Sequence, residues 1–273
     1  MSHALEIYEK ELFHYLAGCG GDFHREFNYL FTNAKSWCCF SHKNTRFDQN
    51  CYRQLGSVKY ITEILEKFIQ ISIFVGITPH LIDSLKTNVE LFKNPLHIKS
   101  YDGFRIIARD LKHSVNEIYI DIRGLMKNIT CQECIRMDEA IDGFRYNLFY
   151  SSIIMAVSAV ESRLHELIAM KNKKYYHNNF ERATLGQLII YFKNHKPINR
   201  EEERIKMILP KKYYALIDIL NQYRIFSAHP KSELLDFRIA QSVLNLSFTF
   251  LLDDDLKIPQ KKKQRITKKK KTL

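Results

Sequence analysis

The sequence predicts an all-α protein with three parts: an N-terminal helical region, a C-terminal helical bundle and a basic tail that is disordered by its composition. The 273-residue chain contains only 9 glycines and 6 prolines, too few turn-forming residues for a many-stranded sheet. Apolar residues recur at spacings of three and four along most of the chain, as on one face of a helix. A hydrophobic content of 45% is enough to fill a sizeable core.

Helical periodicity is clear in the first half of the chain. The predicted helices cover residues 1–16, 22–33, 54–75, from Pro79 to before Pro95, and 101–129. Thr78 followed by Pro79 is a typical helix start, with Thr78 as the N-cap. Residues 34–52 are irregular and predict a loop packed by its own side chains.

A break is predicted over residues 130–143, where Thr130 and Gly143 interrupt the pattern. We therefore place the domain boundaries at residues 1–140 for the N-terminal region, 141–255 for the bundle and 256–273 for the tail. The role of the N-terminal region is not indicated by any motif.

The strongest predicted helix covers residues 144–170, and its apolar stripe runs from Phe149 to Ile168. Glu161 lies on or beside this stripe, so its carboxylate either reaches water at the flank or pairs with a cation. After a polar connection at 171–182, the remaining predicted helices cover residues 184–194, 200–208, the segment after Pro210, and about 232–252.

The segment from Asn221 to Pro230 contains Arg224 and His229, five positions apart. An arginine can hold phosphoryl oxygens, and a histidine can move protons near neutral pH, so the pair suits phosphodiester chemistry. Basic residues near the end of a helix also complement its dipole and bind its last carbonyl groups. Both interpretations are open on the spacing alone.

The order of a long helix with Glu161, the short Thr184–Leu188 helix, and then Asn221, Arg224 and His229 resembles the HEPN superfamily of helical bundles. The resemblance covers about 110 residues and rests on the Arg-x4-His motif with a polar residue three positions earlier. It implies metal-independent RNA cleavage by a homodimer, without a cofactor. Arg224 and His229 would be catalytic, with Asn221 and Glu161 positioning them.

Further expectations follow from the same resemblance. Such proteins act in toxin–antitoxin, antiviral defence or stress-response systems, so a regulatory or antitoxin protein is an expected partner. The expected products carry a 2′,3′-cyclic phosphate. Some members are helical adaptors that bind RNA or protein without cutting, and this non-catalytic function is the alternative.

The formal net charge of +12 is concentrated near the end of the sequence. Eight cations and no acid occupy residues 261–271: Lys261, Lys262, Lys263, Arg265, Lys268, Lys269, Lys270 and Lys271. We expect them to bind RNA, since cations that neutralise phosphates release counterions. An anionic membrane surface, nuclear import and simple solubilisation are the alternatives, although no lipidation motif supports the membrane.

Six cysteines are present, and none follows residue 134. Cys131 and Cys134 have the spacing of half a zinc site, and Cys38, Cys39, His42 or Cys51 would have to complete it. Buried thiols that act as small apolar groups are the alternative. The sequence has no secretory pattern and no run of about 18 apolar residues, so we expect a cytoplasmic protein with reduced cysteines and no membrane span.

Overall fold

The computed structural model describes residues 56–94, 101–229 and 235–258. Within these ranges the chain forms ten α-helices and no strand, which confirms the all-α class. The helices are α1 Gly56–Phe74, α2 Pro79–Lys93, α3 Tyr101–Leu125, α4 Cys131–Arg145, α5 Phe149–Lys171, α6 Lys173–Asn179, α7 Leu185–Asn194, α8 Arg200–Lys206, α9 Tyr214–Ala228 and α10 Phe237–Leu252. Short 3-10 turns cover Met126–Asn128, Lys211–Tyr213 and Asp254–Leu256.

Helices α1 to α3 agree with the sequence prediction, although the capping differs in detail. Gly76 ends the α1 region with a φ of 80°, a conformation that glycine adopts without steric cost. Pro79 occupies the first turn of α2, but the Thr78 side chain makes no capping hydrogen bond. The helices predicted over 1–16 and 22–33, the loop over 34–52 and the basic tail lie outside the described residues.

The predicted break over residues 130–143 is wrong, because helix α4 occupies this segment. Thr130 starts the helix through a capping box: its hydroxyl accepts from the Glu133 N–H, and the Glu133 carboxylate accepts from the Thr130 N–H at 2.8 Å. Gly143 lies inside the helix, where a Cβ would stand 3.1 Å from the Ser152 backbone nitrogen. The glycine therefore permits close packing of α4 on α5 instead of ending a helix.

The real break follows at residues 146–148, so α5 begins at Phe149 and not at residue 144 as predicted. Asn147 has a φ of 60°, a left-handed conformation that asparagine tolerates better than most residues. The connection predicted over 171–182 also differs, because it contains α6. Asn172 caps α6 by accepting from the Tyr175 N–H at 2.9 Å.

Helix α5 is the central element of the bundle. It packs against α4, α10, α9 and α6. Its fully buried apolar residues are Ile153, Ala156, Val157, Ala159, Val160, Leu164 and Ile168. These side chains are distributed around most of the helix circumference, as expected for a helix enclosed by neighbours. The functional residues of the C-terminal half are therefore positioned relative to α5.

Arg163 of α5 is the largest side chain with no solvent exposure among the described residues. Its Nε and Nη2 atoms donate to the two carboxylate oxygens of Glu133 on α4, at 2.6 and 2.7 Å. The remaining donors bind the backbone carbonyls of Asn128, Leu251 and Leu256. All five guanidinium N–H groups are thus satisfied, which a buried cation requires. One side chain joins α4, α5, the end of α10 and the turn before α4.

Helix α1 joins this core through both apolar packing and ions. Lys67 lies between Asp138 and Asp142 of α4, with N–O distances of 2.7 and 2.8 Å. Burial raises the pKa of Asp138 to about 7, and the Lys67 ammonium opposes the shift. The boundary proposed between residues 140 and 141 lies inside α4 and stays a prediction. Within the described residues, no helix combines the length and apolarity that crossing a membrane requires.

We expect Arg163→Leu to destabilise the fold by about 3–5 kcal/mol, since it leaves the Glu133 carboxylate buried without a counter-ion. Arg163→Lys should also cost stability, because a single ammonium cannot bind the four partners that the planar fork reaches. Urea unfolding followed by circular dichroism measures both. Arg109→Leu is the control, because the Arg109 side chain is 75% exposed. A cost below about 1 kcal/mol for Arg163→Leu would contradict the structural role.

The raised pKa of Asp138 predicts a pH-dependent stability. The unfolded chain ionises this group near its ordinary pKa of 3.8, and the folded chain near 7. The stabilisation is therefore fully present below pH 3.8 and is lost as the pH rises through 7. Between about pH 5 and pH 8 the loss should be on the order of 3 kcal/mol.

Asp138→Asn should reduce this fall in the free energy of unfolding, measured in urea at both pH values. Asp83→Asn, at a carboxylate of α2 whose side chain is 72% exposed, is the control and should keep the fall. Equal falls in the Asp138→Asn variant and the unmodified protein would refute the role of Asp138.

Candidate functional site

Arg224 and Asn221 lie three residues apart on α9 and therefore on one side of the helix. The Arg224 Nη2 donates to the Asn221 Oδ1 at 3.2 Å, and its Nη1 lies 3.9 Å from the Glu161 Oε2. Its Nε is buried without a partner among the described residues. Arg224 thus points towards α5 and not towards the last carbonyls of its own helix, so the capping interpretation does not describe its side chain.

Glu161 connects three helices at this site. Its Oε1 accepts a hydrogen bond of 2.6 Å from the Leu185 N–H at the start of α7, while its Oε2 faces Arg224. The first N–H groups of a helix have no partner within the helix and favour negative charge. Glu161 therefore pairs with both a cation and a helix terminus, and the interpretation that it only reaches water at the flank is wrong.

The start of α7 is held in place by its own sequence. The Thr184 hydroxyl accepts from the Gln187 N–H, and the Gln187 side chain accepts from the Thr184 N–H at 2.8 Å. Gly186 lies in this first turn, where a Cβ would stand 3.4 Å from the Asn221 amide nitrogen. A Cβ here would make only an ordinary van der Waals contact, so the distance shows that α7 adjoins α9 at the residue that binds Arg224 without requiring a glycine.

His229 is separate from this cluster. It follows the last residue of α9, its backbone N–H donates to the Ile225 carbonyl at 2.9 Å, and its side chain is exposed. Five residues correspond to a rotation of about 140° around a helix axis, so Arg224 and His229 leave α9 in different directions. One chain therefore brings Asn221, Arg224 and Glu161 together but does not bring His229 to them.

The exposed side of α9 is mostly apolar and ends at His229. Ala215, Ile219, Gln222, Phe226 and His229 recur at spacings of three and four and are all exposed. Ile219 retains 41% and Phe226 38% of their full exposure. We call these five residues the α9 stripe. A helix that is apolar on its buried side and again on its exposed side is typical of a surface that another chain covers.

A cleft lies beside Glu161, on the side towards α4 and α6. Its volume is about 360 Å³, and its lining consists of Gln132, Arg136, Ser158, Glu161, Ser162, His165, Glu166, Ala169, Tyr176 and Glu181. His165 follows Glu161 by one helical turn and was not among the predicted site residues. The signal was available, because residues four apart on a helix share a face. His165 was missed because the apolar periodicity around position 165 was interpreted only as a core pattern.

Several groups in the cleft have shifted pKa values. Burial lowers the pKa of His165, opposed by the Glu161 charge and by a hydrogen bond to the Ala183 backbone. Burial likewise raises the pKa of the Glu166 carboxyl. The His165 Nδ1 is buried and has no hydrogen-bond partner in the described part of the chain. The imidazole is therefore neutral at neutral pH.

Cys131 and Cys134 lie in the first turn of α4. Cys134 is buried, and burial raises the pKa of its thiol well above the usual value, which disfavours the thiolate that zinc requires. Residues 56–94, 101–229 and 235–258 contain no group of three or more potential ligands placed to hold a metal ion. The other proposed ligands, from Cys38 to Cys51, lie outside these ranges, and so do the eight tail cations.

Comparison of the chain with models of protein families, with curated proteins and with solved structures gives no match. The geometry of the site is therefore the basis for any assignment of function.

Proposed function

We propose that this protein is a metal-independent endoribonuclease of HEPN type that cuts RNA at a site shared by two copies of the chain, in a toxin, defence or stress-response context. The observation that carries the proposal is the arrangement on α9. Arg224 is fixed by Glu161 and Asn221, while His229 is exposed at the end of the apolar α9 stripe. A fixed cation and an accessible proton carrier are the two groups that phosphodiester transfer requires.

The proposed reaction uses the 2′-hydroxyl of RNA as the nucleophile. A His229 imidazole removes the proton from this hydroxyl, and the 2′-oxygen forms a bond to the phosphorus. The bond from phosphorus to the 5′-oxygen breaks, and the His229 imidazolium formed in the first proton transfer donates its proton to this leaving oxygen. The Arg224 guanidinium binds the phosphoryl oxygens as their charge increases. The products are a 2′,3′-cyclic phosphate and a free 5′-hydroxyl.

An isologous twofold interface through the α9 stripe would cover the exposed apolar side of α9 in both copies. In such an interface both copies use the same patch, so each His229, at the end of the stripe, would lie against the second copy. The exposed fractions of Ile219 and Phe226 support this surface, because their burial would favour association. The second copy would also supply the histidine that Arg224 lacks within its own chain.

The basic tail has a separate role in this proposal. Its eight cations would attract RNA without sequence preference and raise the local substrate concentration. Since the whole chain has a net charge of +12, the rest of it carries only 12 − 8 = +4. Most of the electrostatic attraction would therefore come from the tail.

The ion pair between Arg224 and Glu161 favours a second candidate function. A guanidinium that already faces a carboxylate has less charge to offer a phosphate, and the pair also holds α5, α7 and α9 together. A protein that keeps these residues for stability would be a non-catalytic module that binds RNA or protein. Such a module would bind its partner without cutting RNA, so an assay of cleavage separates the two functions.

The decisive measurement is RNA cleavage in EDTA, with products analysed for 2′,3′-cyclic phosphate ends. We expect the unmodified protein to cut, and His229→Ala to lower the rate at least about 100-fold because a general acid–base group is removed. His113→Ala is the matched control, since His113 lies on α3 and its side chain is 73% exposed. Arg224→Ala should be equally inactive. Cleavage that persists in His229→Ala would refute the assignment.

A mixture of the two inactive variants tests the shared site. If one site contains residues from both chains, a mixed dimer still has one Arg224 and one His229, so the mixture should recover activity. A site confined to one chain predicts no recovery. Loss of dimer formation, without loss of helical content, on Ile219→Glu would support the α9 stripe as the interface.

Removing residues 259–273 should weaken RNA binding and make it less dependent on salt. The slope of the logarithm of the binding constant against the logarithm of the salt concentration should become shallower by up to about 0.7 for each phosphate that the shortened chain no longer neutralises. The cut follows Ile258 because Leu256 is buried and its carbonyl binds Arg163. A full-length variant with glutamine at the eight cationic positions is the control for chain length and should behave like the truncation. An unchanged salt dependence would exclude the electrostatic role.

A further inference from the structure

We infer that the exposed surface of α6 and of the turn that leads into α7 binds the sugar–phosphate backbone of RNA beside the Arg224 site, without selecting its bases. The inference deepens the proposed function and rests on it, because the RNA bound there is the substrate that the Arg224 site would cut. We call this surface the α6 surface. Its members are Lys171, Lys173, Lys174, His177, Arg182 and Gln187.

The concentration of positive charge is the first argument. Residues 171–182 contain four cations and one acid, a net charge of 4 − 1 = +3. The chain without its basic tail carries only +4, so these twelve residues hold most of the positive charge that remains. A polyanion that approaches the chain outside the tail is therefore attracted mainly to this segment.

The cations of the α6 surface are available to a ligand. Four of them are exposed and form no ion pair with another described residue: Lys171, Lys173, Lys174 and Arg182. Glu181, the acid of the segment, lies 3.2 Å from the His177 ring, between its Oε1 and the Nδ1. Lys193 on α7, by contrast, pairs with Asp218. The four exposed charges therefore remain to be neutralised by a ligand.

A groove between α6 and α7 gives the α6 surface its shape. Its volume is about 650 Å³, and its lining includes His177, Asn178, Asn179, Arg182 and Gln187. The Asn179 Nδ2 donates to the Tyr175 carbonyl at 2.9 Å, which leaves its Oδ1 as an acceptor. The Gln187 Oε1 accepts from the Thr184 N–H at 2.8 Å, which leaves its amide N–H groups as donors. The groove thus offers both donors and acceptors, which suit the phosphates and 2′-hydroxyls of RNA.

The groove adjoins the Arg224 site through the first turn of α7. The Leu185 N–H donates to Glu161 at 2.6 Å, and Glu161 faces Arg224. Gln187, which lines the groove, lies in the same turn of α7. Arg182 precedes Leu185 by three residues, so their Cα atoms are at most about 11 Å apart. A strand with one phosphate at Arg224 can therefore continue along the α6 surface.

An acidic protein and an anionic membrane are the other partners that a basic surface suggests, and the composition of the α6 surface disfavours both. Lysine is depleted and aromatic residues are enriched where proteins contact each other, whereas half of the α6 surface is lysine. A helix that binds a membrane surface needs an apolar face. None of residues 171–189 is a large hydrophobic residue exposed to solvent. A charged backbone with polar sugars fits this surface better.

Binding of short oligo-U and oligo-A RNA measures the role of the α6 surface. The protein is the full-length chain with His229→Ala, which prevents cleavage, and with glutamine at the eight cationic tail positions, which removes the contribution of the tail. The α6 variant adds Lys173→Gln, Lys174→Gln and Arg182→Gln to this background. We expect it to bind both RNAs at least about tenfold more weakly. The slope of the logarithm of the binding constant against the logarithm of the salt concentration should become shallower by about 0.7 for each lost phosphate contact.

A second triple variant controls for the loss of charge alone. It replaces exposed cations of α1, α2 and α3 and removes the same net charge: Lys59→Gln, Lys86→Gln and Arg109→Gln. It should bind RNA within about threefold of the background, because its charges lie outside the α6 surface. A third triple variant keeps the cations and should preserve binding: Lys173→Arg, Lys174→Arg and Arg182→Lys. Circular dichroism checks that all variants keep their helical content.

Three results would overturn the inference: equal losses in the α6 variant and the control, no binding of RNA by the background protein, and a loss limited to one of the two RNA sequences. Vesicles that contain phosphatidylserine are tested in parallel. A loss of vesicle binding in the α6 variant, with RNA binding unchanged, would also overturn the inference and assign the α6 surface to a membrane.

Cleavage by chains that keep His229 and the basic tail separates this inference from the proposed function. The three α6 substitutions should raise KM and leave kcat unchanged, because these residues bind RNA away from the reacting groups. If no RNA is cut but the α6 variant binds RNA more weakly than the control, the ribonuclease proposal fails and the α6 surface stands. If RNA is cut with equal KM by the α6 and control variants, the α6 surface fails and the ribonuclease proposal stands.

Discussion

The bidentate pair of Arg163 and Glu133 is the interaction on which the C-terminal bundle depends. Two charges with no exposure to solvent are stable only if every donor and acceptor finds a partner. Here the guanidinium satisfies the carboxylate and three backbone carbonyls, and the carboxylate also caps the start of α4. This one arrangement therefore caps the start of α4, positions α5 and holds the end of α10.

The same helix carries both the core and the candidate site. Glu161 and Arg163 are two residues apart on α5, so they point to different sides of it. Arg163 faces α4 and α10, while Glu161 faces α7 and α9. The rigid contact on one side limits movement of the carboxylate on the other. Pre-organised charges of this kind are what catalytic and binding sites require.

Periodicity in the sequence was sufficient to predict most of the helices, because the apolar spacing of α1, α2, α7 and α9 is regular and their ends carry Gly, Pro or capping residues. It failed at α4 because Thr130 and Gly143 were interpreted as breakers. Thr130 is in fact a cap, and Gly143 is a packing residue against Ser152. Both roles depend on neighbours that periodicity does not reveal.

The candidate site was also predictable only in part. The spacing of Asn221 and Arg224 predicts that they share one face of the helix, whereas the burial and direction of a side chain are tertiary properties. The structure was therefore required to show the bond from Glu161 to the start of α7, and to show that the His165 Nδ1 has no partner in the part of the chain that it describes.

The hydrogen bond from Arg163 to the Leu256 carbonyl has a geometric consequence for the basic segment that follows. It fixes the point from which that segment departs, on the side of α5 that faces α4 and α10 and opposite the side that carries Glu161. The stretch from residue 259 to residue 271 spans at most about 45 Å when fully extended. The eight cations are thus tethered within about that distance of the turn that follows α10, whatever path the segment takes. An RNA phosphate captured by any of them is already within diffusional reach of Arg224.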